Sequence, residues 1–388
     1  MLRRSRSFSV NASDESIYAS CLSFAMKDPG CFSLGTEECC AYIQRIFSCL
    51  RCDLETLQDL ADNPEVSEIM VNGCSAIFTE RNGRIQKENF TMDSPEQLRH
   101  IIQRLAAKVG RELNDLNPIL DARLRDGSRV NAVNSNIALD GPILTIRKFG
   151  KTALTMEDLI AQRDISEDAA SFLGDLVKCG YNIFISGGTS SGKTTFLNIL
   201  SECIPREERI IVIEDSAELQ IRGHDNLVRM ESKAENMQGK GGVSIRELIR
   251  CSLRMRPDRI IVGEVRGEET VDMLAAMSTG HDGSLSTGHA NSPRGAINRL
   301  ETMHIASSGF PLSAVREQIA EAVEIIVQLK RFPDGHRRLT EISEIVGIRN
   351  EQIEINTIYR LQENGLLEKT GELRNKTKLG MQPVSGSR

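Results

Sequence analysis

The sequence lacks tryptophan, and aromatic residues make up only 4% of its 388 positions. It also lacks any apolar run of the roughly 18 to 20 residues that a membrane-spanning helix needs, so a membrane-embedded body is not expected. Its ten cysteines follow no secretory signal, which favours reduced thiols in a cytoplasmic protein over a disulfide framework. A chain of this length and ordinary charge content is expected to fold as two or three domains.

An excess of positive charge is missing as well. With 54 acidic against 48 basic residues, the formal net charge is −6, so the chain as a whole does not attract phosphate backbones. No stripe interleaves basic with aromatic residues, as a surface for single-stranded nucleic acid would require. No nucleic-acid partner is therefore expected.

Changes of pattern along the chain predict an order of segments with two folded domains. The second domain carries three short β-branched runs at 183–186, 209–213 and 259–262, each followed by a polar turn. This layout is typical of an α/β domain with a buried, largely parallel sheet, which binds ligands at the carboxyl ends of its strands. The predicted segments are a weakly helical, partly disordered lead-in (1–53), an α+β domain (54–150), a linker with a helical stretch (151–165), the α/β domain (166–368) and a disordered tail (369–388).

A phosphate-binding loop follows the first of these runs. The sequence from Gly187 to Thr194 matches the pattern G-x-x-x-x-G-K-[ST], between a strand-like run and a helix-like continuation from Thr195. Backbone amides of such a loop wrap phosphates, Lys193 would reach the β and γ oxygens, and the Thr194 hydroxyl would ligate magnesium. The predicted nucleotide-binding residues are Gly187, Gly188, Thr189, Ser190, Ser191, Gly192, Lys193, Thr194 and Thr195.

Acidic residues follow the other two runs. Glu218 lies just past the run 209–213, which we expect to neighbour the phosphate-loop strand, and Glu264 ends the run at 259–262. Such carboxylates can hold magnesium through water or activate the attacking water. The alternative is that they cap the turns or helices that follow.

Histidine and cysteine clusters raise the question of a metal site. His281 and His289 are eight residues apart, and without a third nearby ligand a sensor that bonds the γ-phosphate is the sharper interpretation for His289. Cys49 and Cys52 could form half of a zinc site, although buried, reduced thiols fit their spacing better.

Taken together, these motifs resemble the type II/type IV secretion-system ATPases, and within them the CpaF-type motors of Tad (Flp) pilus assembly. The resemblance covers residues from about 54 to 350 and places the family's motifs in order. They are a Walker A loop (187–194), an acidic box (213–218), a Walker B segment (258–267), a histidine box (279–291) and the N-domain signatures at 68–73, 121–131 and 145–149.

The resemblance implies a RecA-like P-loop NTPase motor domain with a smaller α+β N-terminal domain, using ATP and Mg²⁺. It implies Glu218 as the general base and Glu264 as the acid linked to the metal, which Thr194 also ligates. By the same analogy Arg129 and Arg147 would approach phosphates from the N-domain, and Arg254 and Arg256 would lie near a subunit interface. The catalytic set is then Lys193, Glu218, Arg254, Glu264 and His289.

The resemblance also implies a homohexamer that works with membrane platform proteins, acts indirectly on pilin and is held at the cytoplasmic membrane through those partners. A traffic ATPase of type IV secretion is the close alternative, because it uses the same chemistry. A nucleic-acid translocase and a regulatory nucleotide-binding scaffold are further alternatives. The net charge argues against a translocase. A scaffold without turnover is disfavoured by the co-occurrence of four residues suited to catalysis, namely Lys193, Glu218, Glu264 and His289.

Overall fold

The computed structural model describes residues 14–29, 31, 35–51, 53–81, 83–124, 126–148, 154–233 and 241–381. The chain divides into two compact units, Met1–Lys151 and Thr152–Arg388. Among the helices of the described ranges, none is both long enough and apolar enough to cross a membrane. Cys52 and the side chain of Cys49 lie outside the described part, so the structure does not bear on the zinc interpretation.

The first unit contains a six-stranded antiparallel sheet in the order β3-β2-β1-β6-β5-β4. One face of the sheet shares a core with helix α4, where Leu98, Ile101 and Leu144 are completely buried. Helix α4 starts where the sequence puts a cap, because Ser94 Oγ accepts from the N–H of Gln97 at 3.2 Å and Pro95 occupies the first helical position. The elements are α1 (Asp14–Ala25), α2 (Thr36–Arg51), a 3-10 turn (Glu55–Leu57), α3 (Gln58–Asp62), β1 (Val66–Asn72), β2 (Ala76–Arg81), β3 (Arg84–Lys87), α4 (Pro95–Lys108), β4 (Ile119–Arg123), β5 (Arg129–Val133) and β6 (Ile143–Arg147).

The second unit contains a nine-stranded mixed sheet in the order β15-β14-β13-β12-β7-β11-β10-β8-β9. From β12 to β9 the strands are parallel, and β12 to β15 form an antiparallel extension. Ile183 and Ile185 of β7 enter one core and Phe184 enters another, so both faces of the sheet are covered. The elements are α5 (Met156–Ala161), α6 (Glu167–Lys178), β7 (Ile183–Gly187), α7 (Lys193–Ser201), β8 (Ile210–Glu214), β9 (Leu227–Glu231), α8 (Ile245–Ser252), β10 (Arg259–Val265), α9 (Glu269–Ser278), β11 (Leu285–His289), α10 (Pro293–Ser308), α11 (Leu312–Ala322), β12 (Ile325–Arg331), β13 (Arg337–Arg349), β14 (Gln352–Leu361), β15 (Leu367–Lys369) and a final 3-10 turn (Lys378–Met381).

The strand order corrects one expectation. Strand β8 does not neighbour the phosphate-loop strand β7, because β11 and β10 lie between them. Crossover helices allow a later strand to insert between earlier ones, and local sequence patterns carry no information about that choice.

The predicted linker also needs correction. Its helical stretch is present as α5, and from there to Ile165 the chain belongs to the core of the second unit. Leu159 is 9% exposed and Ile165 is 3% exposed in that core. The polar composition concealed this role, since only a few apolar side chains of the segment face inward.

The prediction of a disordered tail is wrong for residues 369–381, which the structure describes as ordered. We call residues 370–381 the C-terminal strap. Lys369 pairs with Tyr359 in the sheet, and Leu373 is buried in the core. Lys378 Nζ contacts Glu324 Oε2 at 2.6 Å and Asp282 Oδ1 at 2.7 Å. Polar contacts attach the strap, so its low apolar content misled the prediction.

We predict that Lys378→Ala lowers the free energy of unfolding by about 1 to 2 kcal/mol, because Glu324 loses a charge-assisted partner in a partly buried site. Urea titration of the full chain would measure this change. Lys376→Ala is the matched control, since Lys376 is exposed in the same strap. Equal destabilisation by both substitutions would contradict a specific attachment at Lys378.

Candidate nucleotide-binding site

The phosphate loop joins β7 to α7 in a strained backbone conformation. Gly192, at the start of α7, has φ +92° and Ser190 has φ +56°. A Cβ added at Gly187 would lie 2.3 Å from Ser191 Oγ and 2.8 Å from the carbonyl oxygen of Leu329, so only glycine fits there. The motif glycines at 187 and 192 are therefore required by the shape of the loop.

A residue outside every motif supports the loop. Arg337, on β13, donates from Nε to the carbonyl oxygen of Ser190 at 3.0 Å. Strained backbone persists where its surroundings hold it, and this contact holds the residue with positive φ. Sequence reasoning missed Arg337 because 147 residues separate it from Ser190 and no local pattern marks it.

Lys193 is buried at the first turn of α7, with 8% of its surface exposed. Its Nζ donates to the carbonyl oxygens of Gly187 at 3.3 Å and Gly188 at 3.1 Å, and it lies 3.3 Å from Nδ1 of His289. Thr194 is half-buried beside it. The loop therefore holds an ammonium group where the sequence predicted one.

His289 lies next to the loop because β11 pairs with β7 in parallel, with His289 opposite Gly187. An ammonium group only donates, so Nδ1 of His289 accepts from Lys193 and the ring proton is on Nε2. That nitrogen lies 2.8 Å from Oε1 of Glu264. Burial lowers the pKa of His289, and the charge of Lys193 lowers it further. The ring is thus neutral near pH 7 and connects the lysine to the carboxylate.

Glu264 is held from its other side by Arg266. Arg266 Nη2 and Nε donate to Oε2 of Glu264 at 2.7 and 3.1 Å, and this hydrogen bond raises the pKa of Arg266. Glu269 Oε1 accepts from the N–H of Gly267 at 2.9 Å, which stabilises the turn after the strand. Arg266 is not among the predicted site residues, although its position two residues past Glu264 could have suggested a role.

The three carboxylates of the acidic box differ in burial: Glu214 is buried, Glu218 is half-buried and Asp215 is exposed. Glu214, 3% exposed, accepts with Oε1 from the N–H of Glu218 at 2.8 Å and of Leu219 at 2.9 Å. Burial raises the pKa of Glu214, although these two hydrogen bonds oppose the shift. Glu214 therefore holds the backbone of the box in place, whereas the half-buried Glu218 and the exposed Asp215 have access to solvent.

Strand order decides which predicted residues meet. Lys193, His289 and Glu264 form a continuous set of contacts, because β10 and β11 lie between β7 and β8. Glu218 follows β8, the neighbour of β10, and its charge contributes to the raised pKa of Arg266. The hydroxyl of Thr287 donates to the carbonyl oxygen of Gly263 at 2.7 Å and so links the ends of β11 and β10.

Two predicted arginines of the second unit, Arg254 and Arg256, are not part of this cluster. Arg254 is exposed in the turn between α8 and β10, as is Arg256, which has φ +53°. Arg129 and Arg147 belong to the first unit, on neighbouring strands of its sheet.

A metal would be held here by few protein groups. Among the described residues no group of three or more His, Cys, Asp or Glu side chains forms a metal cluster. Magnesium commonly takes one or two protein ligands together with waters and phosphate oxygens, and the Thr194 hydroxyl and the Glu264 carboxylate suit that mode. A cleft of about 600 Å³ adjoins Glu264 and is lined by Asp215, Ser244, Arg246, Arg266 and Glu269, among others.

Residues 51–364 match the family model described as "Type II/IV secretion system protein". The chain belongs to this family. The prediction of a type II/IV secretion ATPase is thereby confirmed, and an ATPase is the enzyme class that fits this membership and the phosphate loop.

Relatives of this secretion ATPase are named for conjugal transfer and type IV secretion. A Mycobacterium tuberculosis protein named for conjugal transfer is 34% identical over 293 residues, covering 74% of this chain and 83% of the relative. The conjugal transfer protein TrbB of Rhizobium radiobacter is 32% identical, with 78% and 91% covered. The type IV secretion system protein VirB11 of Brucella abortus is 31% identical, with 75% and 88% covered.

Solved structures support the fold of the secretion ATPase. The Legionella pneumophila ATPase DotB aligns with a TM-score of 0.52 and 22% identity, covering 73% of this chain and 78% of DotB. The pilus retraction motor PilT with bound ADP aligns with a TM-score of 0.52 and 21% identity, covering 74% and 81%. The predicted RecA-like motor domain with a smaller N-terminal domain is confirmed.

We predict that Lys193→Ala abolishes nucleotide binding or lowers turnover by on the order of 100-fold or more, because the phosphates lose the ammonium group of the loop. Binding of ATP by calorimetry and release of phosphate would measure both effects. Lys178→Ala, at an exposed lysine of the same unit, should leave both unchanged. Unaltered turnover in a folded Lys193→Ala variant would contradict the assignment.

Proposed function

We propose that this secretion ATPase hydrolyses ATP in the presence of Mg²⁺ and works as a hexameric motor for a membrane-anchored machine. The observation that carries the proposal is the contact chain from Lys193 through His289 to Glu264 beside an intact phosphate loop. A phosphate loop by itself binds nucleotide, whereas a carboxylate held at a fixed distance from the loop lysine suits hydrolysis.

Nucleotide binding would rearrange the contacts of Lys193. Its Nζ donates to two loop carbonyls and approaches His289 Nδ1, and phosphate oxygens are stronger acceptors than these groups. When Lys193 turns to the β and γ oxygens, His289 Nδ1 loses its donor, and the ring can bond a phosphate oxygen once a proton moves to Nδ1. The ring can therefore report whether phosphate is present, as the sensor interpretation requires.

Glu264 and Thr194 are the proposed magnesium residues, with Glu264 acting through a bound water. The metal supplies charge that stabilises the phosphates in the transition state. Arg266 donates to the same carboxylate and so orients it. Glu218 is the proposed general base, because its side chain is half-buried and its backbone N–H is fixed by a hydrogen bond to Glu214.

The arginine roles are proposals that rest on the family resemblance. Arg129 and Arg147 would contact phosphate, and Arg254 would serve a neighbouring subunit of a homohexamer. The exposure of Arg254 in a turn agrees with such a role, and the planar guanidinium group suits bidentate contact with phosphate.

The machine that the motor drives is a separate question. The sequence motifs favour assembly of Tad/Flp pili, with platform proteins at the cytoplasmic membrane as partners and pilin as the indirect substrate. Relatives named for conjugal transfer and for VirB11 favour type IV secretion as the second candidate. Replacing the gene with a Lys193→Ala copy tests both: loss of surface pili supports the first, whereas loss of conjugal or effector transfer with normal piliation supports the second.

We predict that Glu264→Gln and Glu218→Gln affect magnesium dependence differently. Glu264→Gln should raise the Mg²⁺ concentration for half-maximal residual activity, because the amide holds hydrated metal poorly. Glu218→Gln should cut turnover with little change in that concentration. Phosphate release over a range of Mg²⁺ concentrations measures both, and equilibrium binding of ATP shows whether each variant keeps its nucleotide site. The reverse pattern would mean that the two roles are exchanged.

We also predict that activity rises more steeply than linearly with protein concentration near the assembly midpoint, because subunits complete one another's sites. Phosphate release and light-scattering mass should be measured on the same samples. Strict proportionality across a range in which the mass shows assembly would contradict shared sites.

A further inference from the structure

A buried amide group lies beside the start of the phosphate loop. Gln328, on β12, is 4% exposed, and its neighbours along the strand, Ile326, Val327 and Leu329, belong to the apolar cores on the two faces of the sheet. A polar group in such surroundings is costly unless it is hydrogen-bonded. An apolar side chain of the same size would fill this place without that cost. Packing alone therefore does not explain why an amide is here.

Strand register brings Gln328 next to the residue that leads into the loop. Strand β12 pairs with β7 in parallel, and Gln328 is opposite Ser186. On the other side of β7, Gly288 of β11 is opposite the same serine. These three residues form one row across three strands. The row comes one residue before Gly187 on β7 and one residue before His289 on β11.

The amide of Gln328 uses its oxygen and its nitrogen for different partners. Its Oε1 accepts from the hydroxyl of Ser186, which is completely buried. Its Nε2 donates to the carbonyl oxygen of Ala290 at 3.2 Å and to that of Leu329 at 3.1 Å. Because backbone carbonyls only accept, the nitrogen must face them and the oxygen must face the hydroxyl. The partners thus fix the orientation of the amide.

These contacts join three parts of the nucleotide site. Ser186 leads into the phosphate loop, and the carbonyl oxygen of Leu329 is the atom that a Cβ at Gly187 would approach to 2.8 Å. Ala290 directly follows His289, the last residue of β11. A fully bonded polar network in a core rigidifies its surroundings. One side chain therefore fixes the backbone after the histidine relative to the entrance and the wall of the loop.

We propose that Gln328 is a positioning residue for His289: it holds the backbone at Ala290 so that the ring meets the γ-phosphate of bound ATP. This inference rests on the proposed function, which makes His289 the reporter of that phosphate. Gln328 acts through the backbone and makes no contact with the nucleotide itself. Because ADP lacks the γ-phosphate, a displaced ring should weaken the binding of ATP more than the binding of ADP.

The test measures equilibrium binding of ATP and of ADP to the full chain by calorimetry, without Mg²⁺ so that hydrolysis does not interfere. The readout is the ratio of the ADP dissociation constant to the ATP dissociation constant. Gln328→Met keeps the length of the side chain and removes the hydrogen bonds of the amide. It should lower the ratio about tenfold, as His289→Gln should, because each change costs one charge-assisted contact with the γ-phosphate.

The matched control is Ser343→Ala on the neighbouring strand β13. Ser343 is also completely buried, and its hydroxyl donates to Glu341 Oε1 at 2.6 Å. Its loss should leave the ratio unchanged, because it removes a buried hydrogen bond without touching the row. Equal effects of Ser343→Ala and Gln328→Met would mean that any loss of a buried polar contact disturbs the site, and would refute a specific role for Gln328.

A double variant separates positioning from general support of the fold. If Gln328 acts through the ring, Gln328→Met should lower the ratio no further once His289→Gln is present. A further drop would show that Gln328 contributes independently of His289 and would overturn the proposal. Should Gln328→Met fail to fold, Ser186→Ala replaces it, because it removes the hydroxyl that orients the amide. Ser186→Ala should lower the ratio by a smaller factor, and an unchanged ratio would refute the proposal.

The outcomes also distinguish this proposal from the proposed function. If His289→Gln lowers the ratio and a folded Gln328→Met does not, the sensor role of His289 stands and the role of Gln328 is refuted. If His289→Gln itself leaves the ratio unchanged, the sensor part of the proposed function fails, and the positioning role fails with it.

Discussion

The parallel pairing of β7 with β11 is the constraint on which the site depends. It places His289 opposite Gly187, and this brings the ring within 3.3 Å of the loop lysine. A neutral ring then separates an ammonium group from the carboxylate of Glu264, so opposite charges are linked without direct contact. Any phosphate that attracts Lys193 changes the hydrogen bonding of the ring. Binding at the loop and the surroundings of Glu264 are therefore coupled through one side chain.

Strand β7 is fixed at both of its ends, which explains how it can carry a strained loop. At the loop end, the close fit of Gly187 against Ser191 and the contact of Arg337 with Ser190 leave the backbone little freedom. At the other end, the hydroxyl of Tyr181 donates to the carbonyl oxygen of Asn375 in the C-terminal strap at 2.7 Å. Burial raises the pKa of Tyr181 to about 12, so this donor keeps its proton. Strain near a binding site persists only in such supported surroundings.

Much of the fold and of the candidate site could be predicted because the decisive features are local. The glycines and Lys193 lie within one loop, and Ser94 caps its helix three residues from its partner. The expectation that β8 neighbours β7 was wrong because any β-branched run can pair with any other. The C-terminal strap was missed because Lys378 attaches it through polar contacts to Asp282 and Glu324, which are far from it in sequence.

The sequence by itself determined the phosphate loop, the acidic and histidine-containing turns and the family to which they belong, since each is a short pattern with its own chemistry. Only the tertiary structure decided that the strands of His289 and Glu264 lie closer to the phosphate-loop strand than the strand that precedes Glu218. It also decided that Arg123 is in register with Arg129 and Arg129 with Arg147. The physical reason is that strand order and register arise from pairing between distant segments. A shift of one residue would move every side chain of a strand to the opposite face.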